Sequence, residues 1–198
     1  MSYFLLLVLF AISACSKQEA PFNKQAGEEY FPQSKKGSKW EYFYILTTPK
    51  GAQQGKLIIQ IDEEKMNGMR YYKQTSFMSN LPGAKPQVSY SRRTNDGIYK
   101  IDVGSTSEYL LIPLPMEVGK TWTVKTPTKQ ISSIAEKLET IEYLKRTYKN
   151  CLKVTYHGNA GTTSIDGYTY FAPNVGEVVS EMKMGDIKFQ YALDKHTL

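Results

Sequence analysis

The feature that most constrains the fold is a series of short alternating segments joined by turn sequences, and it is clearest near the C-terminus. With Gly185-Asp186 as a turn, Met182 would face Phe189 and Met184 would face Ile187. The opposite face carries polar residues, namely Glu181, Lys183, Lys188 and Gln190. One apolar and one polar face is typical of a half-buried antiparallel strand pair.

An earlier hairpin is indicated by Asn67-Gly68, which lies between two strand-like segments. Asn-Gly accepts the positive φ angles of a type I′ turn. The resulting register places Asp62 opposite Lys73 and Ile58 opposite Phe77. Similar turn signals predict three further strands, over residues 87–94, 98–103 and 108–112.

The segment 131–144 allows two interpretations. Ile131, Ile134, Leu138 and Ile141 recur at helical spacing, which favours a helix. Residues 140–154, in contrast, have the pattern of a hairpin. We predict a strand, because the segment resembles one in a group of known bacterial proteins.

Three short motifs resemble bacterial periplasmic proteins and lipoproteins of unknown function. They are a Tyr-Phe-Pro…Gly…Trp-x-Tyr phrase in residues 30–42, a Glu-Thr strand leading to Cys-Leu-Lys-Val in 139–154, and Ala-Pro-x-Val-Gly-x-Val in 172–178. The resemblance implies that 131–144 is a strand. Leu144-Lys145-Arg146-Thr147 departs from the Pro-Ala-Gly type of turn that usually follows that strand.

Together these patterns predict an all-β fold, hairpin-rich and with little helix. We expect about ten antiparallel strands in one strongly curved sheet, either a partly closed barrel or a sandwich. They would form a single β domain over residues 30–198.

The N-terminal segment carries a targeting signal. The apolar run Phe4–Ile12 is too short to span a bilayer but suits a signal-peptide core. Ile12-Ser13-Ala14-Cys15 then resembles the lipobox of bacterial lipoprotein precursors. The resemblance implies a signal peptide over residues 1–14, lipid including palmitate-type acyl chains on Cys15, and a flexible tether over residues 15–29.

This resemblance also implies a location. A lipid on Cys15 would attach the protein to a membrane of the bacterial cell envelope. Ser16 lacks the carboxylate that commonly retains lipoproteins at the inner membrane of diderm bacteria. If the organism is a diderm, the outer membrane, facing the periplasm or the surface, is therefore the expected location.

Residues that carry enzyme chemistry are sparse. The two histidines, His157 and His196, lack the spacing of a metal site, and His157 is expected in a loop. Cys151 lies in a strand-like segment and is expected to be a small buried hydrophobe. We predict a non-enzymatic protein with no catalytic residue, metal or cofactor.

The pattern of charge and apolar residues favours binding. The formal net charge is +6, and for a protein tethered beside lipid headgroups an anionic lipid surface is a more natural partner than nucleic acid, which is not expected. The scattered Lys and Arg residues also fit the commonest interpretation, which is plain solubility. The candidate apolar binding face consists of Met182, Met184, Ile187, Phe189 and Tyr191, because methionine adapts to varied ligands. Three roles stay open: a binding or structural lipoprotein, a carrier of an apolar ligand or lipid in a half-barrel cavity, and an accessory subunit of a surface or secretion assembly.

Overall fold

The computed structural model of the protein describes residues 27–33, 35–66, 68–102 and 104–197. The predicted signal peptide, Cys15 and most of the predicted tether lie outside these residues. A 3₁₀ turn at Glu28–Tyr30 precedes twelve strands. The strands are β1 (Lys39–Thr48), β2 (Gly51–Met66), β3 (Met69–Met78), β4 (Gln87–Arg93), β5 (Gly97–Ile101), β6 (Tyr109–Pro113), β7 (Thr121–Lys125), β8 (Lys129–Tyr143), β9 (Arg146–Ala160), β10 (Thr163–Ala172), β11 (Gly176–Met184) and β12 (Ile187–Thr197).

All twelve strands belong to one antiparallel sheet that curls into a nearly closed barrel. The strand order is β6-β5-β4-β3-β2-β1-β12-β11-β10-β9-β8-β7, so β1 pairs with β12 and the two edges are β6 and β7. The edges lie side by side, since the Trp122 indole on β7 donates a 2.9 Å hydrogen bond to the Leu111 carbonyl on β6. We call this junction the seam. The all-β prediction is confirmed, with twelve strands in place of about ten.

The predicted hairpin registers are confirmed in this sheet. Asp62 pairs with Lys73 and Ile58 pairs with Phe77. In the last hairpin, the expected pairs of Met182 with Phe189 and Met184 with Ile187 are both present. Gly68 has a φ of 78°, as the predicted turn requires, and Asn67 lies outside the described residues.

Segment 131–144 is a strand, as predicted, within the long β8–β9 hairpin. The register of β8 against β9 shifts twice, between Ala135 and Lys137 and between Glu139 and Ile141. Each such bulge bends the strand and moves the apolar alternation by one residue. Ile131 and Ile141 face the interior, whereas Ile134 and Leu138 are 37% and 50% exposed, so the helix-like spacing in the sequence combines residues from both faces of the strand.

The turn of this hairpin is formed by Leu144 and Lys145, which have φ angles of 47° and 62°. Tyr143 pairs with Arg146 across it. The usual residues for such a turn are Asn and Gly, because a Cβ atom disfavours positive φ. This explains why the sequence around Leu144 gave no recognisable turn signal.

The barrel interior contains two clusters of buried side chains. We call the first the packed core, which consists of Trp40, Tyr42, Tyr44, Leu57, Ile61, Cys151, Ala172, Val178 and Leu193. The second cluster is formed by Tyr30, Phe31, Leu114, Met116, Ala135, Leu152 and Val154. The N-terminal segment helps to close this end of the barrel, because the Arg93 guanidinium lies 3.1 Å from the Glu28 carboxylate and donates a 2.5 Å hydrogen bond to the Phe31 carbonyl.

Candidate functional site: a cavity behind the seam

A cavity of about 460 Å³ lies inside the barrel, behind the seam. Its volume falls within the range of ordinary small-molecule sites. The wall is mainly apolar and is formed largely by Leu111, Ile112, Trp122, Val124, Ile131, Val154, Ile165, Phe171 and Met182. A smaller cavity of about 250 Å³ adjoins it and shares Phe31, Lys100, Leu111, Phe171 and Glu177. We call the larger one the seam cavity.

Strand alternation places these side chains inside. Trp122 and Val124 on β7 are two residues apart, as are Ile131 and Ser133 on β8, so each pair shares the inner face. On β9, Tyr156 also points inward and pairs with Gly167 of β10. A Cβ atom at Gly167 would lie 2.5 Å from the Tyr156 hydroxyl oxygen, so the glycine makes room for that ring.

A group of polar side chains lies at one end of the seam cavity, and Asp102 is at its centre. The Asp102 carboxylate is 2.5 Å from the Lys129 ammonium and 3.6 Å from the Lys100 ammonium. It also accepts a 2.8 Å hydrogen bond from the Tyr109 hydroxyl. Asp102 follows β5 and Lys129 begins β8, so this ion pair bridges the strands on either side of the seam.

Electrostatics keeps Asp102 ionised. Burial opposes the charge, but the hydrogen bonds from Lys129 and Tyr109 outweigh it and hold the pKa of the Asp102 carboxyl below its usual value of 3.8. Burial and the bond to Asp102 raise the pKa of Tyr109. The Lys129 ammonium also lies 5.4 Å from the centre of the Tyr109 ring, which suits a cation–π contact.

A second polar pair lies deeper in the barrel, where Glu177 borders both cavities. The Tyr191 hydroxyl donates a 2.5 Å hydrogen bond to the Glu177 carboxyl. Burial raises the pKa of Glu177 above its usual 4.5, and the hydrogen bond from Tyr191 offsets only part of that rise. Burial also raises the pKa of Tyr191 well above 10. Glu177 is therefore the cavity carboxyl that most readily takes up a proton.

The predicted apolar face of the last hairpin divides between two places. Met182 lines the seam cavity. Tyr191 does not line it but donates a hydrogen bond to Glu177, which does. Phe189 packs instead against Tyr44, with ring centres 5.7 Å apart, as part of the surroundings of the packed core. Met184 and Ile187 form the last pair before the turn, are half-buried, and do not line the cavity.

Sequence reasoning did not identify the cavity's charged residues, Lys100, Lys129 and Glu177. Lys100 and Lys129 lie in strands, and strand phase alone could have shown which face each occupies. The phase could not show that this face encloses a cavity, because that depends on how far the sheet curls. Glu177 occupies an x position of the Ala-Pro-x-Val-Gly-x-Val phrase, which gave no reason to select it.

The residues considered for chemistry occupy structural places. His157 lies within β9 and not in a loop, so that expectation was wrong, because β9 continues to Ala160. It pairs with Asp166 on the outer face, and both side chains are exposed. Cys151 is fully buried, as predicted, and burial raises the pKa of its thiol to about 11. Within residues 27–33, 35–66, 68–102 and 104–197, no three His, Cys, Asp or Glu side chains are grouped as metal ligands.

In the part of the chain that the structure describes, no helix is long and apolar enough to cross a bilayer.

Comparisons with known proteins identify the fold. No protein-family model matches the chain, and no curated protein sequence matches it. The structure is similar to that of a proposed exported protein with a YmcC-like fold from Bacteroides fragilis NCTC 9343, with a TM-score of 0.54, 15% identity, and coverage of 85% of this chain and 99% of that one. A proposed lipoprotein from Parabacteroides distasonis ATCC 8503 gives a TM-score of 0.48, 15% identity and coverage of 85% and 98%. The chain therefore shares the YmcC-like fold of the Bacteroides fragilis protein.

Proposed function

We propose that this protein is a lipid-anchored envelope lipoprotein of bacteria that binds an apolar ligand inside its barrel, without catalysis. The observation that carries this proposal is the seam cavity, with its apolar wall and a few polar groups at one end. Such a combination is typical of sites where apolar contacts supply affinity and polar groups fix orientation. The anchor would hold the barrel beside a membrane, where apolar ligands are concentrated.

The location rests on two supports. The first is the lipobox-like Ile12-Ser13-Ala14-Cys15, which lies outside the described residues. The second is the shared fold with a protein that is itself described as a proposed exported protein. The outer membrane, facing the periplasm or the surface, follows from Ser16 by analogy.

The anchor is tested by Cys15→Ser. We expect loss of metabolic labelling with radioactive palmitate and transfer of the protein from the membrane fraction to the soluble fraction, because several acyl chains bind a bilayer far more stably than one. Cys151→Ala is the matched control, since it removes the buried thiol and should leave labelling unchanged. A Cys15→Ser protein that stays membrane-bound, or a wild type without label, would contradict the anchor.

The ligand is tested by mass spectrometry of the full Cys15→Ser chain purified from cells without detergent. We expect a copurifying apolar molecule that Met182→Trp displaces by filling the cavity. Thr47→Trp is the control, because Thr47 is exposed on β1 and the same bulk would leave the cavity open. The proposal fails if no apolar molecule copurifies and added apolar dyes do not bind.

A second candidate role, an accessory subunit of a surface or secretion assembly, is favoured by the β8–β9 hairpin. Leu138, Tyr143 and Leu144 are exposed there by 50%, 38% and 44%. Exposed apolar residues on a projecting turn are suited to a protein contact. If this role is correct, Leu144→Asp should abolish a specific cross-link to a partner in intact cells while ligand binding in the seam cavity is unchanged.

A further inference from the structure

The polar end of the seam cavity carries more positive than negative charge. Lys100 and Lys129 both line the cavity, and one carboxylate, Asp102, forms ion pairs with both. The other cavity carboxyl is Glu177, whose negative form is disfavoured by burial, although Lys100 and the hydrogen bond from Tyr191 offset part of that effect. Two ammonium groups therefore face one carboxylate that is held ionised.

Closure of the seam does not account for this excess. The Lys129–Asp102 pair already bridges the strands on either side of the seam, and Trp122 adds a hydrogen bond to Leu111. The side chains of Lys100 and Lys129 are only 28% and 26% exposed. Partly buried charges are costly unless an opposite charge balances them, so this arrangement favours an additional anion.

The part of the cavity wall farther from Lys129 is mainly apolar, although Glu177 and Lys100 also border it. Phe31 and Phe171 lie there, with ring centres 4.9 Å apart. The two ends are well separated, because Lys129 pairs with Ala160 and Phe171 pairs with Leu152, eight residues apart on β9. At about 3.3 Å per residue that is roughly 26 Å along the strand. The seam cavity therefore extends from the Lys129 ammonium to the aromatic rings, and Lys100 lies between them, since it borders the smaller cavity together with Phe31 and Phe171.

From this arrangement we infer that the ligand is a single-chain amphiphile with an anionic head, its head beside Lys129 and its chain directed along the apolar wall toward Phe171. The inference rests on the proposed function, since it names the class of ligand for the same cavity. The shared chemistry of the head is a carboxylate or a phosphate monoester, because an ammonium group binds either one as a point charge.

The test measures binding of two fluorescent probes to the full Cys15→Ser chain. One is a dansyl-labelled undecanoic acid, and the other is its methyl ester, which has the same chain without the charge. We expect the acid to bind about tenfold more tightly than the ester, the factor typical of one charge-assisted hydrogen bond. Lys129→Met should weaken binding of the acid by about tenfold and leave the ester unchanged.

The matched control is Lys188→Met, which removes a lysine that pairs with Glu181 at 3.0 Å on the outer face of the barrel. It should alter binding of neither probe. Equal affinities for acid and ester in the unsubstituted chain would overturn the inference and leave the proposed function standing. The same holds if Lys129→Met weakens both probes alike, because Lys129 would then only support the barrel. Failure of both probes to bind would overturn both proposals.

Competition distinguishes the two head chemistries. Oleate and oleoyl lysophosphatidic acid have the same chain and differ in the head, so the stronger competitor against the dansyl acid identifies the preferred anion. We expect at least one to compete about tenfold better than oleyl alcohol. Equal competition by all three would contradict an anionic head.

Discussion

The two tryptophans of this protein lie in two different halves of the barrel, one in the packed core and the other in the wall of the seam cavity. Trp40, on β1, belongs to the packed core, where Tyr44, Val178 and Leu193 are almost completely buried. Trp122, on β7, lies beside the seam and forms part of the seam cavity wall. The packed core lies around strands that are hydrogen-bonded to a neighbour on both sides. The cavity lies behind the seam, where the edge strands β6 and β7 do not form a ladder with each other.

This difference shows how one sheet can combine stability with a binding site. In the packed core, aromatic rings fill the interior: Tyr42 contacts Tyr191 edge-on, with ring centres 5.2 Å apart, and Tyr44 donates a 2.6 Å hydrogen bond to the Ser79 carbonyl. Near the seam, smaller side chains such as Val124, Ile131 and Val154 leave space. Substitutions in the two halves should therefore have different consequences.

The largest effect is expected from truncation in the packed core. Leu193→Ala should lower the free energy of unfolding by about 2–5 kcal/mol, because it leaves a cavity among fully buried neighbours. Met182→Ala removes a side chain that already borders empty space, so we expect a loss below about 2 kcal/mol together with altered ligand binding. Urea unfolding of both variants gives the comparison. Equal losses, with unchanged binding, would show that Met182 belongs to a filled core.

A smaller effect is expected at the seam. Trp122→Phe removes the indole donor to Leu111 but keeps an aromatic ring, so stability should fall by about 1 kcal/mol. Hydrogen exchange of the β6 and β7 amides should also become faster than that of β1. The matched variant Trp40→Phe removes a 3.5 Å hydrogen bond to the Val175 carbonyl and some buried ring volume in the packed core, away from the seam, so it should leave edge-strand exchange unchanged. Identical exchange in both variants would argue against a closed seam.

The smallest effect concerns pH. Because the pKa of Glu177 is raised in the folded state, its contribution to stability is greatest below 4.5 and declines as pH rises through the folded-state value. Glu177→Gln cannot ionise, so relative to wild type it should gain stability between pH 4 and pH 8.

Glu181→Gln is the control for this measurement, on the same strand. Burial opposes ionisation of Glu181, but the Lys188 ammonium lowers its pKa overall. Its contribution is present above its usual 4.5 and is lost as pH falls, so Glu181→Gln should lose stability relative to wild type from pH 4 to pH 8. Parallel pH profiles for the two variants would contradict the buried position of Glu177.

The sequence predicted the pairing of neighbouring strands in hairpins better than it predicted how the sheet closes into a barrel. Asp62–Lys73 and Met182–Phe189 followed from turn type and alternation, because both depend on neighbouring residues only. The Leu144-Lys145 turn could not be recognised, since its positive φ angles are imposed by the strands on either side. That Lys100 and Lys129 face one cavity could not be predicted from the sequence. It depends on β5 and β8 lying on opposite sides of the seam, which is a property of the whole sheet.

The central claim, that the seam half of the barrel holds the ligand, is tested most directly by quenching of tryptophan fluorescence. Bromine atoms on an acyl chain quench only tryptophans that they nearly touch. In the Cys15→Ser chain, Trp40→Phe leaves Trp122 as the only tryptophan, and Trp122→Phe leaves Trp40, which borders only the smaller cavity. We predict strong, saturable quenching of Trp122 by a dibrominated fatty acid and weak quenching of Trp40. Equal quenching of both, or quenching of Trp40 alone, would contradict the account.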